Sequence, residues 1–205
     1  MTFLSGTFSI KKIRSFCLAG MMVGMKKLLY VRHGQTYLNE AKLISGQTET
    51  GLTEKGKLQA KKSGALLKEL PGRVDLIICS PLARAQDTAT IIAAELGYPI
   101  EKIEVNELFI ERTFGKVEGT SRHDFLTTHT YKDFDNVEGA ETIEHLQERA
   151  KTALAYLKTR KEDTILVVGH GAFGRAIRRV VDDLPHAHEY HAHLPIGNAD
   201  IINLI

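Results

Sequence analysis

From residue 27 onward the chain alternates apolar runs of four to six residues with longer stretches in which apolar positions recur every three or four. Lys27 to Val31, Val74 to Cys79 ("VDLIIC") and Thr164 to Val168 ("TILVV") predict strands, with a weaker one over Lys102 to Val105 and a last one in "ADIINLI". Between them, Thr53 is placed to cap a helix running to Leu70, which Pro71-Gly72 would end. Leu82 to Leu96 predicts a second helix, stopped by Gly97, and Ala172 to Val181 another. The clearest amphipathic helix runs from Glu141 to Arg160, where Ile143, Leu146, Ala150, Ala153, Leu154 and Leu157 share one face. Continuous apolar strands alternating with amphipathic helices predict an α/β three-layer sandwich, a mostly parallel central sheet with helices on both faces.

Composition narrows the picture. With 205 residues, 43% of them hydrophobic, the chain suffices for one well-buried core and is short for two. The 27 basic and 25 acidic residues are dispersed and leave a net charge of +2, without the one-sided basic excess of a nucleic-acid binder. The 2 cysteines, Cys17 and Cys79, make no disulfide framework, and a reduced, cytoplasmic protein is the expectation. Lys11, Lys12 and Arg14 precede an uncharged run from Ser15 to Met25 that superficially looks like a secretory signal. That run is too short to span a bilayer and has no small-x-small cleavage site before the first strand. Residues 1–24 are therefore expected to be a leader or an upstream start, with residues 25–205 as the domain and no membrane partner.

The residues just past each strand carry the chemistry. In parallel sheets, ligands bind beyond the carboxyl ends of the strands. Arg32-His33-Gly34 comes after the first strand, "SPLAR" with Arg84 after the second, Glu107 and Glu111 after the third, and Gly169-His170-Gly171 after the fourth. Two guanidiniums can hold a phosphate dianion by forked hydrogen bonds, and a histidine beside them can be a further cation or a nucleophile. Phosphoryl transfer depends mostly on in-line placement and fixed charge, so such a pocket could work with no metal, and no cofactor is expected. A partly buried glutamate with a raised pKa could protonate the leaving oxygen.

In "YVRHGQTYLN", "GLTEKGKLQA", "CSPLARAQDTA", "IERTFGKVEG", "GAETIEHLQER" and "VVGHG", in that order, the chain resembles the histidine phosphatase superfamily, also called phosphoglycerate mutase-like. "LPIGNADI" near the end fits the same pattern. The resemblance implies that His33 is the nucleophile, passing through a phosphohistidine. It further implies that Arg32, Arg84 and His170 hold the phosphoryl oxygens, with Asn39 and the backbone at Gly171 assisting. Glu111, rather than Glu107, falls on the family's proton donor. His33 must attack while neutral, which calls for its other ring nitrogen to donate to a backbone carbonyl. Asn39 reads equally as a helix cap or a turn residue, and Gln35 either reaches the phosphoryl site or polarises its loop.

The partner expected is a small phosphorylated metabolite; substrate candidates are sugar phosphates, phosphoglycerate-like acids, nucleotide-related phosphates such as ribazole phosphate and, beyond small molecules, phosphohistidine proteins. Arg112 occupies a place where family mutases also carry arginine, which points to a second anionic group on the substrate. About thirty residues separate Glu111 from the helix that starts at Glu141, a short lid that favours hydrolysis over mutase chemistry. A cofactor-dependent phosphoglycerate mutase and a non-catalytic phospho-ligand binder are the alternatives. His186, His188, His191 and His193 include pairs two apart that could share a strand face and ligate a metal, yet a solvated or substrate-side loop is the expectation. The sequence does not decide oligomeric state; a homodimer is one option.

Overall fold

Five strands form one sheet in the order β3-β2-β4-β1-β5 in the computed structural model, which describes residues 25–184 and 195–205. These are β1 (Lys27–Arg32), β2 (Leu76–Cys79), β3 (Glu104–Val105), β4 (Thr164–Gly169) and β5 (Ile201–Asn203). The helices are α1 (Tyr37–Glu40), α2 (Glu54–Lys68), α3 (Ala83–Leu96), α4 (Arg122–Thr128), α5 (Ile143–Lys158) and α6 (Gly171–Val181). The expected leader and the histidine-rich segment His186 to His193 lie outside the described residues. No described helix is long and apolar enough to cross a membrane.

The expected three-layer sandwich is present. Leu28, Tyr30, Ile78, Ile165 and Val167 face a core shared with α5 and α6. Leu29, Val31, Ile77, Cys79, Leu166 and Val168 face the other, with Leu67 of α2 and Ala89, Ile92 and Ala93 of α3. Burial on both faces is why these strands read as apolar runs rather than as alternation. Each large aliphatic side chain so enclosed contributes about 1.5–3 kcal/mol.

Capping fixes where the helices begin and end. Thr53 accepts from Gly56 N at 3.0 Å and Thr142 from His145 N at 3.2 Å, supplying orphan donors at the starts of α2 and α5 with a partner. Gly97, at φ 66°, closes α3 in the left-handed conformation glycine tolerates. Two strands are shorter than their apolar runs. Pro99 precedes a 3₁₀ turn over Ile100–Lys102, so the chain reaches the sheet only at Glu104. The last run enters its strand only at Ile201, since Ala199 is held at φ 58° while its N–H donates to Arg32 O at 2.9 Å.

Strand direction positions the site. β1, β2, β3 and β4 are mutually parallel, and the register pairs Arg32 with Gly169 and Cys79 with both Val168 and Val105. Their carboxyl ends therefore stop level with one another. β5 runs antiparallel to β1, so its entry, through Asn198, lies at that same end. Gly34 and Gly56 bring the loop after β1 against the first turn of α2. A Cβ on either would overlap the other segment's backbone, at Gly56 O and Gln35 O respectively.

Candidate active site

His33 comes directly after β1, its N–H donating to Gly169 O at 2.9 Å, and the residue is 3% exposed. Nδ1 lies 2.8 Å from Gly34 O. A carbonyl can only accept, so Nδ1 carries the hydrogen and Nε2 keeps its lone pair. Burial lowers the His33 pKa well below that of a free imidazole, and His170, Arg32 and Arg84 push it the same way. The ring is thus neutral with a bare Nε2, as attack on phosphorus requires.

His170 stands against His33, ring centroids 5.2 Å apart and planes at 60°. Tyr30 fixes its backbone: the phenol donates to His170 O at 2.8 Å and accepts from His170 N at 2.6 Å. Ser80 Oγ accepts from Leu82 N at 3.3 Å and lies 2.6 Å from His170 Nε2, to which its own hydrogen can donate. That arrangement leaves the hydrogen on Nδ1, which is buried with no partner among the described residues. In that tautomer the Nδ1–H is an unused donor on a ring that stands against His33. Burial lowers its pKa too, with Arg84 and Arg32 adding to the effect.

Arg32 and Arg84 both lie at the cavity without a carboxylate within ion-pair distance among the described residues. Arg84, in the first turn of α3, is fully buried and donates to Thr48 O at 2.9 Å and to Gly46 O. Arg32 donates to Ile196 O at 2.7 Å. Burial and then repulsion from Arg175 lower its pKa to about 10. The Nε of each has no partner among the described residues. Such uncompensated buried charge is costly and is relieved by an anion.

Glu111, 8% exposed, accepts from three backbone N–H groups: Arg112 and Phe173 on Oε1 at 2.9 and 3.0 Å, Ala172 on Oε2 at 3.0 Å. It acts as the carboxylate at the amino end of α6, where His170 offers no side-chain cap. This corrects the expectation of a raised pKa. Burial pushes the carboxyl up, but the N–H donors of Ala172, Phe173 and Arg112, with Arg175, hold it below the usual value. Glu111 is therefore an anion at neutral pH.

His33, Arg32, Arg84, Glu111, Asn39 and Gly171 line one cavity of about 460 Å³ at the carboxyl ends of the strands. Asn39 has the structural role: its side chain completes a capping box with Thr36, and Oδ1 also accepts from Asn198 Nδ2 at 3.0 Å, while the residue lies in the cavity lining. The model of the histidine phosphatase superfamily (branch 1) matches residues 28–204, nearly the whole described chain. The chain belongs to the histidine phosphatase superfamily.

Its relatives in this superfamily divide by activity. The chain is 35% identical to the "Uncharacterized phosphatase PhoE" of Bacillus subtilis over 72% of its own length and 73% of the relative's. It is 31% identical to a 2,3-bisphosphoglycerate-dependent phosphoglycerate mutase of Brucella canis, over 78% and 82%. Among solved structures, a phosphoserine phosphatase of Entamoeba histolytica in complex with 3-phosphoglyceric acid superposes with a TM-score of 0.72. That pair is 28% identical and covers 86% of this chain and 89% of the other.

Three residues expected to contact the ligand do not line the cavity: His170, whose ring stands against that of His33, Gln35 and Arg112. Gln35 does not line the cavity; its side chain accepts from Thr53 Oγ1 at 3.0 Å and holds the start of α2. Arg112 is 1% exposed and likewise absent from the lining. Its guanidinium pairs with Asp135, donates to Glu141 O at 2.7 Å and lies over Phe114, pinning the lid to α5. Other residues arrive unannounced. Arg175 is one turn into α6 from Gly171, Asn198 comes from the entry to β5, and Lys42, Arg122 and His123 come from the rim. Arg175 left a sequence signal, since a residue four beyond Gly171 on a helix faces the same way, and Asn198 lies in the family-like "LPIGNADI".

Proposed function

We propose that this histidine phosphatase hydrolyses a small phosphomonoester through a covalent phosphohistidine on His33, without need of a metal or cofactor. The observation that carries the proposal is the neutral, nearly buried His33 with its Nε2 lone pair in a cavity that also holds two guanidiniums lacking carboxylate partners among the described residues. Arg32 and Arg84, with the Nδ1–H of His170 and the Asn39 amide, would hold the phosphoryl oxygens. The phosphoryl dianion raises the affinity of Glu111 for a proton. Nε2 then attacks phosphorus, the ester P–O bond breaks, and Glu111 delivers its proton to the leaving oxygen. In the second half, the Glu111 carboxylate takes a proton from water, the oxygen attacks phosphorus and the P–N bond breaks. Phosphate leaves and His33 is restored. The fixed charges stabilise the equatorial oxygens in both steps.

A cytoplasmic location and a small-metabolite substrate belong to the same reading, supported by the reduced, buried Cys79 and the cavity's size. Mutase chemistry is the second reading, favoured by the Brucella relative. Against it, Arg112 is engaged in the lid rather than offered to a second phosphate. Turnover of p-nitrophenyl phosphate in excess chelator, lost in His33→Ala, is the expected result. An acid-labile phosphoryl adduct on His33 should accumulate on rapid quenching. Isomerisation of 3-phosphoglycerate that depends on a bisphosphoglycerate primer and outpaces hydrolysis would replace this reading with the mutase. Phosphate binding without any turnover would leave a binding module.

A further inference from the structure

The loop that carries His33 is held at every backbone polar group it has. His33 N donates to Gly169 O at 2.9 Å, and His33 O accepts from Asn198 Nδ2 at 3.1 Å. Gly34 N donates to Thr88 Oγ1 at 3.1 Å, and Gly34 O faces His33 Nδ1 at 2.8 Å. Gln35 N donates to Gln59 Oε1 at 2.9 Å, and Gln35 O accepts from Thr53 N at 2.9 Å. A buried loop must satisfy these groups, but here two of the partners are side chains reaching in from separate helices.

Those two side chains bear on the imidazole. The Gly34 carbonyl shares its peptide plane with the Gln35 N–H, so the bond to Gln59 fixes the direction in which that carbonyl accepts from Nδ1. The preceding plane is fixed by Thr88, fully buried and one turn along α3 from Arg84. Thr88 Oγ1 lies 2.7 Å from Arg84 O, which can only accept, so the hydroxyl hydrogen goes there and a lone pair is left for the Gly34 N–H. Gln59, half-buried on α2, and Thr88 thus hold the amides on either side of the Gly34 Cα. Gly34 also packs so closely on Gly56 that the loop has no room to shift toward α2. Neither Gln59 nor Thr88 lines the cavity. Which nitrogen of a histidine carries the hydrogen is set by the bond the other makes. A Gly34 carbonyl turned out of line would free the ring to place its hydrogen on Nε2, a form with no lone pair to offer phosphorus.

We infer that Gln59 and Thr88 are positioning residues for the nucleophile: by holding the amides that flank Gly34, they fix the Nδ1–H tautomer of His33 and the aim of its Nε2. This rests on the hydrolase reading above, in which that nitrogen attacks phosphorus.

Thr88→Val deletes the hydroxyl at nearly constant shape and Gln59→Leu deletes the amide, whereas Thr88→Ser and Gln59→Glu keep an acceptor oxygen. Nitrogen-15 NMR of the His33 ring at neutral pH, its resonances assigned by their loss in His33→Ala, reads the tautomer. The parent should show a protonated Nδ1 and a bare Nε2. In Thr88→Val and Gln59→Leu the two resonances should move toward each other as the tautomers mix, and kcat/KM on p-nitrophenyl phosphate should fall by about tenfold or more. Inhibition by inorganic phosphate, which the guanidiniums bind, should stay within about threefold of the parent's, and so should kcat/KM of the two conservative variants. Gln59, only half-buried, carries the test alone if Thr88→Val does not fold. A fall in kcat/KM with the parental ring spectrum, or one matched by an equal loss of phosphate inhibition, would make the effect a general loosening and overturn the inference. Conservative variants as slow as the deletions, or parental kcat/KM in both deletions, would overturn it too. Turnover retained in His33→Ala would instead overturn the hydrolase reading.

Discussion

Replacing Glu111 with Gln separates proton donation from helix capping. Oε1 accepts from Arg112 N and Phe173 N, and Oε2 from Ala172 N. An amide can keep its oxygen toward the first two, which turns its NH2 onto Ala172 N–H, donor against donor. One charge-assisted hydrogen bond is lost, about 1.5–3 kcal/mol of stability, together with the favourable carboxylate at the amino end of α6. Loss of a general acid costs about 10²–10⁴ in rate, or about 3–5 kcal/mol of barrier, where the leaving alkoxide must be protonated. Where the leaving group is p-nitrophenolate, which departs without protonation, the loss should stay under about tenfold. kcat/KM on glycerol 3-phosphate and p-nitrophenyl phosphate, which reports phosphorylation of His33 and not the later hydrolysis in which Glu111 activates water, gives the comparison below the melting temperature of the variant. Equal losses on the two esters would refute proton donation and leave Glu111 a cap alone.

The same geometry sets four other outcomes. The His33 pKa is lowered, so the nucleophile stays neutral as pH falls through 6.5, and the acid limb of the kcat/KM profile should lie well below that of an ordinary imidazole. A limb at or above 6.5 would contradict it. Because Glu111 is depressed when folded, its contribution to stability is present above the unfolded carboxylate value of about 4.3 and is lost as pH falls through the folded one. Melting curves of Glu111→Gln should lack that part of the acid destabilisation. Tyr30→Phe strips both hydrogen bonds from the His170 backbone and should cost about 1–3 kcal/mol for each group left unpaired, read by urea unfolding. A stability within about 0.5 kcal/mol of the parent's, on the order of a neutral surface change, would rule out that role. Arg112→Gln should destabilise by about 3–5 kcal/mol by breaking a buried ion pair, without altering the preference between 3-phosphoglycerate and glycerol phosphate. A change in that preference would return Arg112 to the substrate.

The sheet was legible because strands buried on both faces must be apolar throughout, and "LLYV", "LIIC" and "ILVV" satisfy that without context. His33, Arg84 and His170 were legible for a related reason. Each comes directly after a strand or opens the next helix, so local order alone places it at the sheet's carboxyl edge. The sequence could not distinguish an arginine aimed at substrate from one aimed at the lid. Arg112 is adjacent to Glu111, yet the main chain turns its side chain onto Asp135 and Phe114, so its partners are set by how the lid folds back rather than by its neighbours in sequence. Gln35, two residues from His33, is likewise claimed by Thr53.

Chain order thus determined which elements form and which reactive groups meet at one edge, because hydrophobic period and parallel connection are local properties. Tertiary packing decided protonation and which cations gather at the cavity. Glu111 became an anion because α6 aims backbone N–H groups at it, and Lys42 and Arg122 became neighbours because two loops bridge. Electrostatic energies depend on distance and burial in space, and those are not defined until the chain has closed on itself.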